Sequence, residues 1–185
     1  MPIAYKMCRV KKSCPGKLFP LFVLIQQEIP MKQWLVAECG EKQGEKVKSK
    51  LGPLAFRPAW HLTEIPLATH IGVKGESGKI EFMNPEYVWC EVEYKDEIDY
   101  QPIANQKGTI NGKFVPKKAY LDYVPVNGFY KYKTNPNMFG EWILAGDMYV
   151  HKVLTDEEVK DILISKGYKP MPRYGGDINL KEYGF

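Results

Sequence analysis

The run YVWCEVEY, Tyr87–Tyr94, constrains the fold more strongly than any other part of this sequence. Apolar side chains at Val88, Cys90 and Val92 alternate with tryptophan and glutamate side chains. A period of two is typical of a β-strand that buries one of its faces. We therefore expect a β-sheet to lie at the centre of the protein.

Other segments rich in β-branched and aromatic residues are also predicted to be strands. They are 4–10, 17–25, 33–39, 128–134 and 141–154. Pro20 limits the second segment to a sheet edge or a bulge, because proline donates no ladder hydrogen bond. The third segment could equally form a helical turn. The last is either two strands or one strand broken at Gly146.

One helix is expected after the last of these strands. Thr155 and Glu158 have the spacing of a capping box, in which each side chain bonds the other residue's backbone N–H. Val159 and Leu163 supply an apolar stripe, and Gly167 is a stop signal. We expect few other helices in the chain.

These elements predict an α+β fold, in the form of a strand-rich single domain of two packed antiparallel-type sheets with few short helices. The domain is expected to cover residues 1–170, and 171–185 is expected to be a C-terminal tail that is extended or poorly ordered. We interpret the polar segment 40–52 as a loop. Segment 101–118 is interpreted as an insertion, either a lid over a cleft or a plain loop.

Composition excludes several classes of protein. The net charge of +4 allows weak attraction to nucleic acid. The sequence lacks, however, the clustered basic residues of a dedicated nucleic-acid-binding protein. No apolar run approaches the length of a membrane span, and the N-terminal residues lack the apolar core of a signal peptide. The four cysteines form no CxxC pair. We expect a cytoplasmic protein with reduced thiols and no membrane association.

The stretch FRPAWHLTEIPLATHIG, Phe56–Gly72, carries the densest set of chemically capable side chains. It contains Trp60, His61, Thr63 and His70, and two prolines prevent it from forming one regular element. A structural zinc site needs four ligands, usually arranged as two close pairs. The two histidines are nine residues apart without such partners, so we expect no metal site.

Cleavage of an N-glycosidic bond suits the available side chains better than nucleophilic catalysis by a cysteine or phosphate binding by a glycine-rich loop. Cys8 and Cys90 fall within apolar strands, where cysteines usually act as inert core groups. Neither a GxxxxGK[ST] loop nor a GxGxxG motif after a strand is present. Glycosyl transfer needs a carboxylate, aromatic groups against a flat base and donors for a diphosphate. Glu141, Trp60 and Arg9 are candidates for these tasks.

The order of four segments resembles that in ADP-ribosyltransferases, over most of the chain. These segments are YKMCRV, AFRPAWHLTEIPLATHIG, YVWCEVEYKDEID and GEWILAGDMYVHKVL. The sequence is also similar to a group of uncharacterised phage- and prophage-type proteins with RPGWH and YKTNPNM blocks. The resemblance implies an ADP-ribosyltransferase-like fold that uses NAD as its substrate. It further implies a phage-encoded protein that modifies a host component.

The resemblance also implies roles for particular residues. Arg9, on the first strand, would contact a phosphate or ribose of NAD. His61 and Thr63 would touch the nicotinamide ribose, and His70 would lie on a short helix behind the nicotinamide. Glu141 would hydrogen-bond a ribose hydroxyl and stabilise the oxocarbenium ion, with His61 as the second catalytic residue.

Trp60 would complete the NAD site as a wall for the flat base. The sequence departs from the family pattern at two points. WHLT stands where the family has Ser-Thr-Ser, and the Glu-x-Glu or Gln-x-Glu pair before the catalytic strand is missing. Trp60 could instead be a core anchor. His61 and His70 could be structural, and Arg9 and Glu141 could be ordinary strand residues.

Three functions therefore stay open. The protein could be a mono-ADP-ribosyltransferase that consumes NAD. It could also be a catalytically inactive ADP-ribosyltransferase-like module that inhibits or docks a host protein or a nucleic-acid complex. The third alternative is an unrelated strand-rich domain with a structural role.

Overall fold

A computed structural model describes residues 1–55, 59–115 and 121–185 of the chain. The strands are β1 (Ile3–Arg9), β2 (Trp34–Val36), β3 (Lys42–Gln43), β4 (Lys46–Val47), β5 (Leu54–Ala55), β6 (Trp60–Thr63), β7 (Val73–Lys74), β8 (Ile80–Phe82), β9 (Tyr87–Tyr94), β10 (Ile98–Asp99), β11 (Thr109–Ile110), β12 (Lys113–Phe114), β13 (Gly128–Tyr132), β14 (Trp142–Ala145) and β15 (Asp147–Val153). The helices are α1 (Gln101–Gly108), α2 (Asp156–Ser165) and a 3-10 helix (Leu180–Tyr183).

Eight strands form one mixed sheet in the order β10-β13-β14-β6-β1-β9-β15-β2. Strands β10 and β13 are parallel, and the other neighbouring pairs are antiparallel. The expectation of a strand-rich fold with few short helices is thus confirmed. The expectation of two packed antiparallel sheets is corrected, because the long strands hydrogen-bond into a single sheet. Small ribbons β3-β4-β5, β7-β8 and β11-β12 accompany it.

The large sheet consists of two four-stranded parts with a narrow junction. The first half-sheet is β10-β13-β14-β6 and the second half-sheet is β1-β9-β15-β2. Within the described part of the chain, Tyr5 and Thr63 form the one register pair between β1 and β6. By contrast, all seven residues of β1 pair with β9. We call the gap between β1 and β6 beyond this pair the split.

Both faces of the second half-sheet are covered. One face buries Cys8 and Cys90 in a cluster with Tyr183 of the 3-10 helix. The opposite face buries Trp89 in a cluster with Leu163 of α2. Because side chains alternate along a strand, one β-strand contributes to both clusters. The second half-sheet is therefore the middle layer of the domain.

The predicted capping box of α2 is confirmed. The hydroxyl of Thr155 accepts a hydrogen bond from the backbone N–H of Glu158 at 3.1 Å. The Glu158 carboxylate in turn accepts one from the backbone N–H of Thr155 at 2.9 Å. Gly167 follows the helix with a φ of 81°, which suits glycine at a helix end.

Several segments differ from the sequence-based expectation or resolve its alternatives. Segment 17–25 is not a strand, because Pro20 has no N–H to donate to a ladder. Phe19 pairs with Arg9 through an isolated β-bridge. Segment 33–39 contains β2. Part of segment 40–52, expected to be a loop, pairs as β3 and β4. Segment 101–118 contains α1 and a β11-β12 hairpin, and residues 116–118 lie outside the described ranges.

The final fifteen residues pack on the domain, although the sequence predicts an extended or poorly ordered tail. Arg173 is buried, and its backbone forms an isolated parallel β-bridge with Met83. Its guanidinium makes a two-pronged ion pair with Asp156 at the start of α2, with both N–O distances 2.8 Å. This ion pair between buried Arg173 and half-buried Asp156 gives the segment a fixed anchor. Among the described residues, no helix has the length and apolar character needed to cross a membrane.

Candidate ligand-binding cleft

A cleft of ≈ 1040 Å³ lies at the split between the two half-sheets. Lys6 and Met7 of β1 line it, as do Trp60 and His61 of β6. Consecutive strand residues point to opposite faces of a sheet. The cleft therefore takes side chains from both faces, and it lies between the two strands. Its volume is slightly above the range of about 300–1,000 Å³ that is usual for ligand pockets.

An aromatic group forms one wall of the cleft. The ring of Trp142 lies 5.7 Å from the ring of His70 and 6.4 Å from the ring of His61, measured between centroids. Both contacts are edge-to-face, at 84° and 81°. Desolvation lowers the pKa of His70 from its usual value. The neutral imidazole is therefore favoured at His70 near neutral pH.

The short helix expected around His70 is replaced by a turn. The backbone N–H of Ile71 bonds the carbonyl of Ala68 at 3.2 Å, and no helix is assigned there. Pro66 and Gly72 leave too few residues between them for a helix to propagate after its costly first turn. Residues 56–58, at the start of this stretch, lie outside the described part of the chain.

Trp60 combines the two roles that the sequence leaves open. Its indole N–H donates to the carbonyl of Leu35 at 2.9 Å, which ties β6 to β2 of the other half-sheet. Its ring also lines the cleft, and the Lys6 ammonium group lies 5.4 Å from the ring centroid. Trp60 is therefore both a structural anchor and a wall of the cleft.

Thr63 is buried, and its hydroxyl is directed into the protein. The hydroxyl lies 2.6 Å from the carbonyl oxygen of Ile65 and 3.3 Å from that of Tyr5. Thr63 also forms the junction pair with Tyr5. It does not belong to the lining of the large cleft. Its position suits a residue that holds the two half-sheets together.

Arg9 has a buried atom that lacks a partner. One terminal nitrogen donates to the carbonyl of Ile25 at 2.7 Å. The Nε atom is buried and has no hydrogen-bond partner among the described residues. Arg9 itself does not line the cleft, but its cross-strand neighbour Tyr87 does. An unsatisfied buried donor is costly, so an acceptor oxygen there would be stabilised.

Glu141 lies outside the lining of the cleft, immediately before β14. Its backbone N–H donates to the Glu64 carboxylate at 3.1 Å, and this carboxylate also pairs with Lys131 at 3.0 Å. Burial lowers the pKa of Lys131, but the Glu64 hydrogen bond and the charges of Glu64, Tyr94 and Glu141 outweigh it, so the pKa is raised. Glu64 itself is the first residue after β6, and it also lies outside the lining of the cleft.

The structure thus brings Trp60, His61 and His70 together at one cleft, and it places Arg9, Thr63 and Glu141 outside its lining. Two cleft residues, Lys6 and Trp142, were not singled out from the sequence. A signal for Lys6 exists, because strand alternation puts it on the same face as Ala4 and Cys8, where an apolar residue is expected. For Trp142 the sequence offers only its position after Glu141.

No group of three or more potential metal ligands occurs within the described ranges. Comparisons with protein-family models, with curated proteins and with solved structures found no match.

Proposed function

We propose that the cleft binds NAD, or a dinucleotide of the same build, and that the protein is ADP-ribosyltransferase-like. The main support is the shared position of Trp60, His61 and His70, three residues for which the resemblance implies NAD contacts. Flat aromatic rings and a few polar groups suit a ligand with planar bases. The buried Nε of Arg9 adds a donor that an anionic phosphate near Tyr87 would satisfy.

Titration with NAD tests the binding step, with tryptophan fluorescence as the signal because Trp60 and Trp142 line the cleft. His70→Asn should weaken NAD binding about tenfold, which corresponds to about 1.4 kcal/mol. His151→Asn is the matched control, since His151 pairs with Glu93 outside the cleft lining. Lack of NAD binding by the wild-type protein, or an equal loss in both variants, would overturn the proposal.

Mono-ADP-ribosyl transfer is the catalytic form of this proposal. Its support is the pair of carboxylates, Glu141 and Glu64, that flanks the entry to β14, where the resemblance implies a catalytic glutamate. Nicotinamide release and transfer of labelled ADP-ribose to a host lysate measure the activity. Glu141→Gln should reduce it about 10²-fold or more, the scale for loss of one transition-state stabiliser. Glu182→Gln, at an exposed ion pair with Lys12, is the control.

Binding without catalysis is the second candidate function. It is favoured by the position of Glu141 outside the cleft lining and by the inward direction of the Thr63 hydroxyl. In this form the protein inhibits or docks a host protein or a nucleic-acid complex. NAD binding without nicotinamide release would support it, whereas turnover that depends on Glu141 would contradict it.

A further inference from the structure

Lys6 is a cationic side chain on a strand face that is otherwise apolar. Its register partner on β9 is Cys90, and Cys8 lies two positions further along β1. Both cysteines are fully buried. Lys6 keeps part of its surface exposed, and that surface lines the cleft.

The amine of Lys6 has no carboxylate partner within ion-pair distance among the described residues. Its Nζ donates to the carbonyl of His61 at 3.3 Å and lies over the Trp60 ring. Exposed lysines such as Lys12 and Lys152 instead form ion pairs with glutamates. Burial lowers the pKa of Lys6, and the nearby thiols of Cys8 and Cys90 oppose this only in part. A desolvated lysine releases its proton more readily and becomes a nucleophile.

We propose that Lys6 is an amine nucleophile that forms a Schiff base, and that the cleft accepts an aldehyde or ketone carrying a flat aromatic ring. The aromatic requirement follows from Trp60, whose ring lies beside the amine and also lines the cleft. This inference goes beyond NAD binding and does not depend on it.

The step is balanced without any further reactant. The Nζ lone pair of neutral Lys6 attacks the carbonyl carbon, an N–C bond forms, and the amine proton moves to the former carbonyl oxygen. The hydroxyl of the resulting carbinolamine then leaves with the second Nζ proton as water, which leaves a C=N bond between Nζ and the ligand. Reduction of that bond by cyanoborohydride adds a hydride to carbon while nitrogen takes a proton from water, and the product is a stable secondary amine.

Reductive labelling of the full chain tests the proposal. The protein is incubated at pH 7.5 with pyridoxal and cyanoborohydride, and modified lysines are located by peptide mass spectrometry. An exposed lysine with a pKa near 10.4 is only about 0.1% neutral at this pH. Lys6 should therefore be labelled at least about tenfold faster than the exposed Lys12 and Lys160. Labelling of Lys6 at the same rate as these two would overturn the proposal.

Two comparisons complete the experiment. Lys6→Arg keeps the positive charge but should lose the fastest-forming adduct, while its thermal unfolding temperature shows whether the domain is folded. Propanal, which has no ring, should label Lys6 more slowly than pyridoxal does, and an equal rate would overturn the aromatic ligand class. Labelling needs neither NAD nor Glu141, so it can succeed where the NAD proposal fails.

Discussion

Lys6 and His61 contact each other across the split, with the Lys6 Nζ 3.3 Å from the His61 carbonyl oxygen. The two residues belong to different half-sheets, which share only the Tyr5–Thr63 register pair between β1 and β6 in the described part of the chain. In a continuous sheet, the His61 carbonyl would accept a hydrogen bond from a backbone N–H of β1. Here it accepts one from the Lys6 side chain instead. The two half-sheets thus remain in contact at the edge of the cleft without closing it.

Lys6→Met should alter how stability depends on pH. The folded-state pKa of Lys6 is lowered, so the unfolded chain binds more protons between that pKa and 10.5. Stability rises with pH wherever the unfolded state binds more protons. The unfolding free energy of the wild type, relative to Lys6→Met, should therefore increase from pH 7 to pH 10.

Urea unfolding of both proteins at several pH values measures this difference. The titratable groups that act on the pKa of Lys6 are Cys8 on its own strand and Cys90 on β9, and both are retained in the variant. Lys12→Met is the control, because Glu182 raises the pKa of exposed Lys12. A constant difference between wild type and Lys6→Met across this range would contradict the prediction.

Thr63→Val should weaken folding without weakening ligand binding. The variant keeps the shape of the side chain but removes the donor to the carbonyls of Ile65 and Tyr5. Loss of a buried hydrogen-bond partner costs about 1–3 kcal/mol. Denaturant unfolding and NAD titration separate the two effects, with exposed Thr69→Val as the control. A large loss of NAD affinity at unchanged stability would instead support a direct ligand contact by Thr63.

Arg173→Met should be destabilising by about 3 kcal/mol, the lower end of the range for a buried pair, because it leaves the half-buried carboxylate of Asp156 without its partner. Arg173 also donates to the carbonyls of Asn84, Pro85 and Tyr87. Combining Arg173→Met with Asp156→Asn should recover part of the loss, since the unpaired charge is then removed. If the double variant is as unstable as the sum of the single variants, the ion pair is not the cause.

The ion pair between Arg173 and Asp156 should also affect how stability changes at acidic pH. Burial raises the pKa of Asp156, but the hydrogen bonds from Arg173 and from the Ile178 backbone, together with the Arg173 charge, outweigh it and lower the pKa. A lowered carboxylate pKa contributes stability that is present above the unfolded value of 3.8 and is lost as pH falls through the folded value. Asp156→Asn should therefore unfold with a weaker pH dependence below pH 4 than the wild type.

Gly146→Ala should disrupt the junction between β14 and β15. A Cβ at this position would collide with the main-chain carbonyl of Pro125, which cannot rotate away. Gly75→Ala is the matched control, because there the added carbon meets the flexible side chain of Glu81. Thermal unfolding should show a large decrease for Gly146→Ala and a small one for Gly75→Ala. Equal decreases would contradict this account.

Local patterns in the sequence determined the elements whose hydrogen bonds and burial depend on near neighbours. The alternation in Tyr87–Tyr94 predicted β9, and Thr155 with Glu158 predicted the start of α2. Short-range spacing is sufficient in these cases, because strand alternation and helix capping each involve residues only a few positions apart.

The tertiary structure alone decided the strand order, the narrow Tyr5–Thr63 junction and the cleft beside it. These features join residues 58 positions apart, and their pairing depends on the packing of the whole domain. The same packing placed Lys6 at the cleft, put Glu141 beyond its lining and anchored the last fifteen residues through Arg173. Residue type indicated which side chains could do chemistry, while long-range packing decided which of them share one cavity.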